Sequence, residues 1–349
     1  MFIIGKFREA LSFATILAIG AAAVAGTGND KQKAEPTPKQ SRTAIERGLG
    51  FVQADAAKWR KERECATCHH GTFTVWALSE AKAQGYLVDA ATLTDMAKWT
   101  KERLKDIDKP RDTRAGWNMV NSPAVYLAFM AEAVPSQNAI SASELKQIAG
   151  HLLRHQEADG SWAWSLALAK NRPPPFFESD EVVTMLASMA LAPHVPKDPK
   201  MKSPEREGRE KAAAWLTKNK PNDTTQAAAF RLLVKVRAGE SAKNLQADID
   251  EFLRRQNKDG GWSQVKDFPS DAYATGQSLY VLNLAGVKND RAEIRSGVAF
   301  LVANQKDDGS WPMTRRGHPG VTPGNFTVPI VYFGSAWATL GLMRSVPKE

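Results

Sequence analysis

Apolar residues recur along this chain at helical spacing, in two kinds of segment that alternate. One kind is amphipathic and carries charge over much of its surface. Lys211-Ala212-Ala213-Ala214-Trp215-Leu216 and Gly297-Val298-Ala299-Phe300-Leu301 lie in two such segments. The other kind is apolar on most faces, as in Ala124-Val125-Tyr126-Leu127-Ala128-Phe129-Met130. A helix with one apolar stripe faces water on its other side, whereas one that is apolar all round is enclosed. The pattern therefore predicts an all-α protein with a charged outer layer around an apolar inner layer. Period-two alternation, the mark of half-buried strands, is nearly absent.

The segments are joined by a turn that repeats. His155-Gln156-Glu157-Ala158-Asp159-Gly160-Ser161-Trp162, Arg255-Gln256-Asn257-Lys258-Asp259-Gly260-Gly261-Trp262 and Asn304-Gln305-Lys306-Asp307-Asp308-Gly309-Ser310-Trp311 each follow an amphipathic stretch and precede an apolar one. In the Asp-Gly pair, Gly takes the left-handed conformation that closes a helix. The period is about fifty residues, and a period in this range means that one supersecondary unit is repeated. Six helix pairs can be laid out at this spacing. Pair one starts at Arg47-Gly48-Leu49-Gly50-Phe51-Val52, and pair two has Thr92 to Ile107 as its first helix with Gly116-Trp117 at the turn. The second helices are expected to begin near Thr72, Asn121, Ser179, Asp223, Ser270 and Phe326. Polar caps precede several of them, at Ser179-Asp180-Glu181, Asn222-Asp223-Thr224 and Ser270-Asp271-Ala272.

A first helix opening on a basic residue and Gly or Ala, then an aromatic and an aliphatic, then Gln, then Gly-x-Trp, resembles the Gln-Trp repeat of squalene and terpenoid cyclases. The resemblance runs from about Arg42 to Val346. It implies the (α/α)6 toroid of that superfamily, shared with protein prenyltransferase β subunits, with an apolar inner ring and a charged outer ring. Fold does not fix chemistry, and the repeat is a structural device. The resemblance is also incomplete. Squalene cyclases have two helical domains where this chain has room for one. The prenyltransferase zinc site is not reproduced residue for residue, and the Cys-Gly-Glu-Gln thioester motif of complement-type toroids is absent.

The N-terminus changes the picture of where the chain works. Lys6 and Arg8 precede a small, apolar run from Leu11 to Gly26, which ends in Ala23-Val24-Ala25. This reads as a signal peptide over residues 1–25, with an uncleaved membrane anchor as the alternative. Residues 26–41 read as a polar, disordered linker, and 42–349 as the toroid. The mature chain is expected in the periplasm or outside the cell, with no transmembrane span. The net charge of +9 in 349 residues comes from Lys and Arg interleaved with Asp and Glu, so stretches such as Lys98 to Arg114 read as solvated helix faces, not a nucleic-acid groove.

The only cysteines, Cys65 and Cys68, stand in Glu64-Cys65-Ala66-Thr67-Cys68-His69-His70-Gly71, where pair one would carry its turn. Cys-x-x-Cys-His is the attachment signal for haem c: two thioethers to the vinyl groups, with His69 as axial ligand. His318 or Met313 could supply a sixth ligand. Zinc bound by Cys65, Cys68, His69 and His70 is an alternative, as is a disulfide.

All first-to-second-helix turns of such a toroid lie at one end. That expectation gathers His69, Trp117, Glu178, Asp180, Glu181, Asp223, Asp271 and His318 at a common mouth. Glu178-Ser179-Asp180-Glu181-Val182-Val183 partly resembles the Asp-x-Asp-Asp-Thr-Ala motif of squalene–hopene-type cyclases. The resemblance implies Asp180 as the acid that protonates an alkene or epoxide, with Glu178 and Glu181 beside it, although the Thr-Ala half is missing. First-turn carboxylates are equally ordinary helix caps. Trp117, Trp164, Phe177, Asp223, Asp271 and Tyr273 are expected to line a cavity, with the aromatics able to stabilise a carbocation or stack on a sugar.

Three functions fit these residues. The first is an exported haem protein with a redox partner, in electron transfer or haem-dependent chemistry. The second is a terpenoid-cyclase-like or other cavity enzyme, an isomerase or lyase acting on a lipid, isoprenoid or polysaccharide. The third is a binding scaffold without catalysis.

Overall fold

The computed structural model describes residues 35–63, 70–108, 122–133, 140–163, 179–313 and 327–346. Among them the helices alternate between outer and inner layers in six pairs. These are α1 (Pro38–Arg63) with α2 (His70–Ala83), α3 (Ala90–Lys101) with α4 (Ser122–Ala133), and α5 (Ala142–Arg154) with α6 (Asp180–Leu191). The other three are α7 (Pro204–Lys218) with α8 (Thr225–Arg237), α9 (Ala242–Leu253) with α10 (Ala272–Leu284), and α11 (Ala292–Asn304) with α12 (Thr327–Ser345). Strand pairing among the described residues is limited to isolated bridges between Thr224 and Val265 and between Ser263 and Ser270. None of the described helices is long and apolar enough to cross a membrane.

Helix starts follow local chemistry. Ser141, Ser179, Ser203, Thr224, Ser241 and Asp271 each cap a helix by accepting a backbone N–H with the side chain, worth about 1 kcal/mol apiece. The first helix begins at Pro38, ahead of the boundary expected at Arg42. Thr37 and Gln40 satisfy each other's backbone N–H groups, with Pro38 at the first helical position. This Thr-Pro-x-Gln box is a local start signal inside a stretch whose polar composition reads as linker.

The inner helices form a closed circuit: α2 touches α4, and contacts continue through α6, α8, α10 and α12 back to α2. In the outer layer α11 packs on α1. The inner helices run parallel, since their starts meet: Glu181 bonds Asn222, Gln226 bonds Tyr273, and Thr74 bonds Tyr332. The closed double ring is the toroid expected from the repeat.

The repeated turn is a staple built the same way three times. Trp162, Trp262 and Trp311 donate their indole N–H to Leu152, Phe252 and Leu301 carbonyls, ten residues back, at 2.8, 3.2 and 2.7 Å. Their backbone N–H groups donate to Thr184, Thr275 and Ser335 on the following inner helix. The glutamines reach forward to the next outer helix. Gln156 donates to Gly208 at 2.8 Å and Gln256 to Glu293 at 2.7 Å. Gln305 donates to Ala44 at 2.8 Å and so joins the last pair to the first. Gly160, Gly260 and Gly309 have φ of 95°, 85° and 86°, and a Cβ on any of them would strike the backbone of the next outer helix. Glycine is needed there for both reasons.

The centre of the ring is aromatic. Trp76 of α2, Phe129 of α4, Phe230 of α8, Tyr280 of α10 and Trp337 of α12 converge from five inner helices. Their centroids lie 4.7–6.5 Å apart, mostly edge to face. On one side α10 and α12 approach backbone to backbone, because Gly276 and Gly341 leave no room for a Cβ between them.

Candidate functional site

At the end of the ring where the inner helices begin, each expected acidic residue takes a different part. Ser179 caps α6, so Asp180 and Glu181 are its first two helical residues. Asp180 is partly buried. Glu181 is buried and turned to α8: Arg231 donates to Oε1 at 2.5 Å, and the backbone and side-chain amides of Asn222 donate to Oε2 at 2.8 Å each. Three N–H donors from Arg231 and Asn222 thus engage both oxygens of this carboxylate.

Asp223 does not line an interior. It precedes the cap Thr224, its side chain is 74% exposed, and it pairs with Arg255 at 2.8 Å. Asp271 is buried, but as the cap of α10: it accepts from the Ala274 N–H at 2.9 Å and from the Gln264 side chain. These residues look alike in sequence, yet one position along a helix start turns a side chain through about 100°. The positive ends of the inner helices account for acidic residues at this end without further chemistry.

Tyr273 is buried on α10 and its hydroxyl meets the Gln226 side chain. One turn on, Gln277 is buried with neither side-chain amide atom partnered among the described residues, and the Trp76 indole N–H is in the same state. Phe73, Tyr126 and Phe333 form a layer nearer the helix starts than the central rings, with the Phe73 centroid 5.4 Å from Trp76 and 5.6 Å from Trp337.

His70, which follows the Cys-x-x-Cys-His run, begins α2 and is fully buried. Its ring stacks between Trp59 at 4.4 Å and Tyr332 at 3.8 Å, and its Nε2 lies 3.0 Å from Asp55 Oδ2. The Tyr332 hydroxyl bonds the Thr74 hydroxyl at 2.6 Å and the His70 carbonyl at 3.1 Å. Burial lowers the His70 pKa well below its usual value and raises those of Asp55 and Tyr332. A neutral imidazole donating from Nε2 to Asp55 fits this environment. As a zinc ligand His70 would have to give up that bond or use its other nitrogen within the stack. Asp55 and Tyr332 have no local sequence signal, since they reach His70 from α1 and α12. Met313 is half-buried, and its thioether lies against α12 where Gly334 has no side chain. Cys65, Cys68, His69, Trp117, Trp164, Phe177, Glu178 and His318 lie outside the described residues.

Solved structures of the type II terpene cyclase MstE from Scytonema superpose on this chain. A variant in complex with geranylgeranyl dihydroxybenzoate, its substrate, has a TM-score of 0.55 and 14% identity, over 89% of this chain and 99% of that one. The apo enzyme gives 0.55 and 16% over 90% and 100%. The fold is that of the terpene cyclase toroid. A squalene–hopene cyclase of Zymomonas mobilis subsp. mobilis is 30% identical over 99 residues, 28% of this chain. The matched stretch spans only 15% of that cyclase's length. No family model matches the sequence. Within the terpene cyclase toroid, the Gln-Trp staples are the part most visibly shared between sequence pattern and fold, and they lie in the wall of the ring, not at its chemistry.

Proposed function

We propose that the toroid takes an isoprenoid-like apolar ligand at the end where the inner helices begin, with Asp180 as the proton donor that starts its cyclisation. The observation that carries this is the aromatic floor. Five inner helices present rings to the axis, and ring faces attract a passing cationic carbon by about 2 kcal/mol or more once water is excluded. Because the rings touch at the level of Trp76 and Trp337, the ligand rests above them. The unpartnered amide of Gln277 supports a polar ligand atom or a water close by, since a buried amide left bare costs about 1–3 kcal/mol.

In this reading the Asp180 carboxyl gives its proton to one carbon of an alkene. The π pair of a second double bond closes a ring onto the resulting cation, and loss of a proton to the carboxylate restores an alkene. Substrate and product then have equal mass. The test incubates the full chain with squalene- and geranylgeranyl-type polyenes, reading products by mass spectrometry and binding by tryptophan fluorescence. The wild type should quench saturably and yield an isomer; Asp180→Asn should keep the quenching, lose turnover and melt at nearly the same temperature. Neither quenching nor an isomer from the wild type would overturn the proposal.

A second reading concerns the Cys-x-x-Cys-His run. Cys65 and Cys68 would hold haem c through thioethers, with His69 as axial ligand, in a chain exported by its leader. Support comes from the Cys-x-x-Cys-His spacing itself and from His70, the next residue, which is fixed at the start of α2. The stack of Trp59, His70 and Tyr332 pins that residue to the wall of the ring. Bound there, haem would supply one-electron chemistry. Expression with cytochrome maturation factors should give a Soret band that survives acid-acetone. A colourless product containing zinc or a disulfide would refute it.

A further inference from the structure

We propose that Asp108, His151 and His155 form a divalent-metal site of the zinc class in the outer layer of the ring. His151 and His155 stand four apart at the end of α5, so their rings project from one face. Asp108 follows the 3-10 turn Glu102–Asp106 and comes to the same place from the preceding pair. One ligand atom from each of the three lies within 4.8 Å of the others. The His151 and His155 ring centroids are 4.5 Å apart, and His151 Nδ1 is 2.7 Å from Asp108 Oδ1.

Two imidazoles and one carboxylate make a borderline donor set suited to zinc, with a fourth position left for water. The surroundings are arranged as a metal needs them. Arg154 donates to Asp108 Oδ2 at 2.7 Å, which fixes the carboxylate and leaves Oδ1 turned to the histidines. Such outer-shell bonds orient ligands and tune affinity. His151 is fully buried, whereas Asp108 and His155 keep access to solvent, which gives an ion a way in. An ion held by Nδ1 requires the His151 tautomer with its hydrogen on Nε2, so two metal bonds replace the hydrogen bond between His151 and Asp108. The two donors then open from hydrogen-bond distance to about 3.4 Å, the spacing of neighbours in a tetrahedral site with bonds of about 2.0–2.1 Å. The motion required is well under an ångström for that pair. An ion here would clasp α5 to the chain leaving the second outer helix.

The competing possibility is a metal-free network that simply ties Asp108 to α5. The two are separated in the full chain carrying Cys65→Ser and Cys68→Ser, so that thiols contribute no binding. Zinc added to this protein should bind one-to-one at micromolar concentrations by calorimetry. Cobalt should give visible bands of a tetrahedral site without thiolate charge transfer. His155→Gln and Asp108→Asn, at partly exposed side chains, should each weaken zinc binding by about tenfold or more. Melting curves should show both variants still folded. Absence of stoichiometric binding, or binding unchanged in both variants, would overturn the site.

Discussion

Trp337 is the side chain on which the centre of the ring turns, and removing it gives a quantitative test of the packing. Its ring lies 5.0 Å from Trp76, 5.6 Å from Phe73, 5.8 Å from Tyr280, 6.2 Å from Phe129 and 6.5 Å from Phe230, and it is 3% exposed. Truncation to Ala deletes roughly 140 Å³ of side chain, and at about 24 cal/mol per Å³ an uncollapsed void alone costs about 3 kcal/mol. Lost transfer free energy adds about 2 kcal/mol. The neighbours come from four separate helices of a closed ring, so they cannot close in together. Trp337→Ala should therefore lose about 5 kcal/mol in urea unfolding, or about 10 °C in Tm for a chain of this size. The void would be apolar, and an apolar void of this size stays dry and binds benzene-sized molecules. Indole or benzene should thus restore part of the loss. A loss below about 1 kcal/mol, with no response to either ligand, would mean that the rings are not close-packed in solution.

Two further outcomes follow from the repeated turn. Gln256→Ala and Gln305→Ala each remove two hydrogen bonds to backbone carbonyls, so each should cost about 2 kcal/mol by denaturant titration. If the Gln305 change were nearly silent while that at Gln256 was not, the last pair would not be joined to the first. Hydrogen bonds from the Ser161 backbone and from the Ser310 hydroxyl hold the Asp159 and Asp308 carboxyls below their ordinary value of 3.8. A depressed folded pKa stabilises above the unfolded value and is lost as pH falls through the folded one. Stability should therefore drop below about pH 4, and less steeply in the double variant Asp159→Asn, Asp308→Asn.

The fold was legible because its information is local and repeated. Gln, Asp-Gly and Trp recur in fixed order, and each makes bonds that a reader can anticipate from turn chemistry. The linker was drawn through residue 41 because Thr37, Pro38 and Gln40 act as a box within a polar stretch, and composition hid the cap. The acidic residues were harder for a geometric reason. Asp271 is a cap, Asp223 sits one residue before a cap, and Glu181 lies two after one, so similar strings point in three directions. The groups around His70 and around His151 were invisible for another reason. Asp55 and Tyr332 come from helices at the two ends of the chain, and Asp108 belongs to a different repeat from His151 and His155. Closure of the ring brings Tyr332 to His70, and the packing of consecutive pairs brings Asp108 to His151.

A circuit of repeats has no first and last member, so neither end needs the polar capping unit that an open array requires. The cost falls on the order of assembly. The segment that meets α1, α2, α10 and α11 together is α12, the final helix of the described chain. Without it, Trp76, Phe129, Phe230 and Tyr280 lack the one ring that touches all four. The keystone is the last stone delivered.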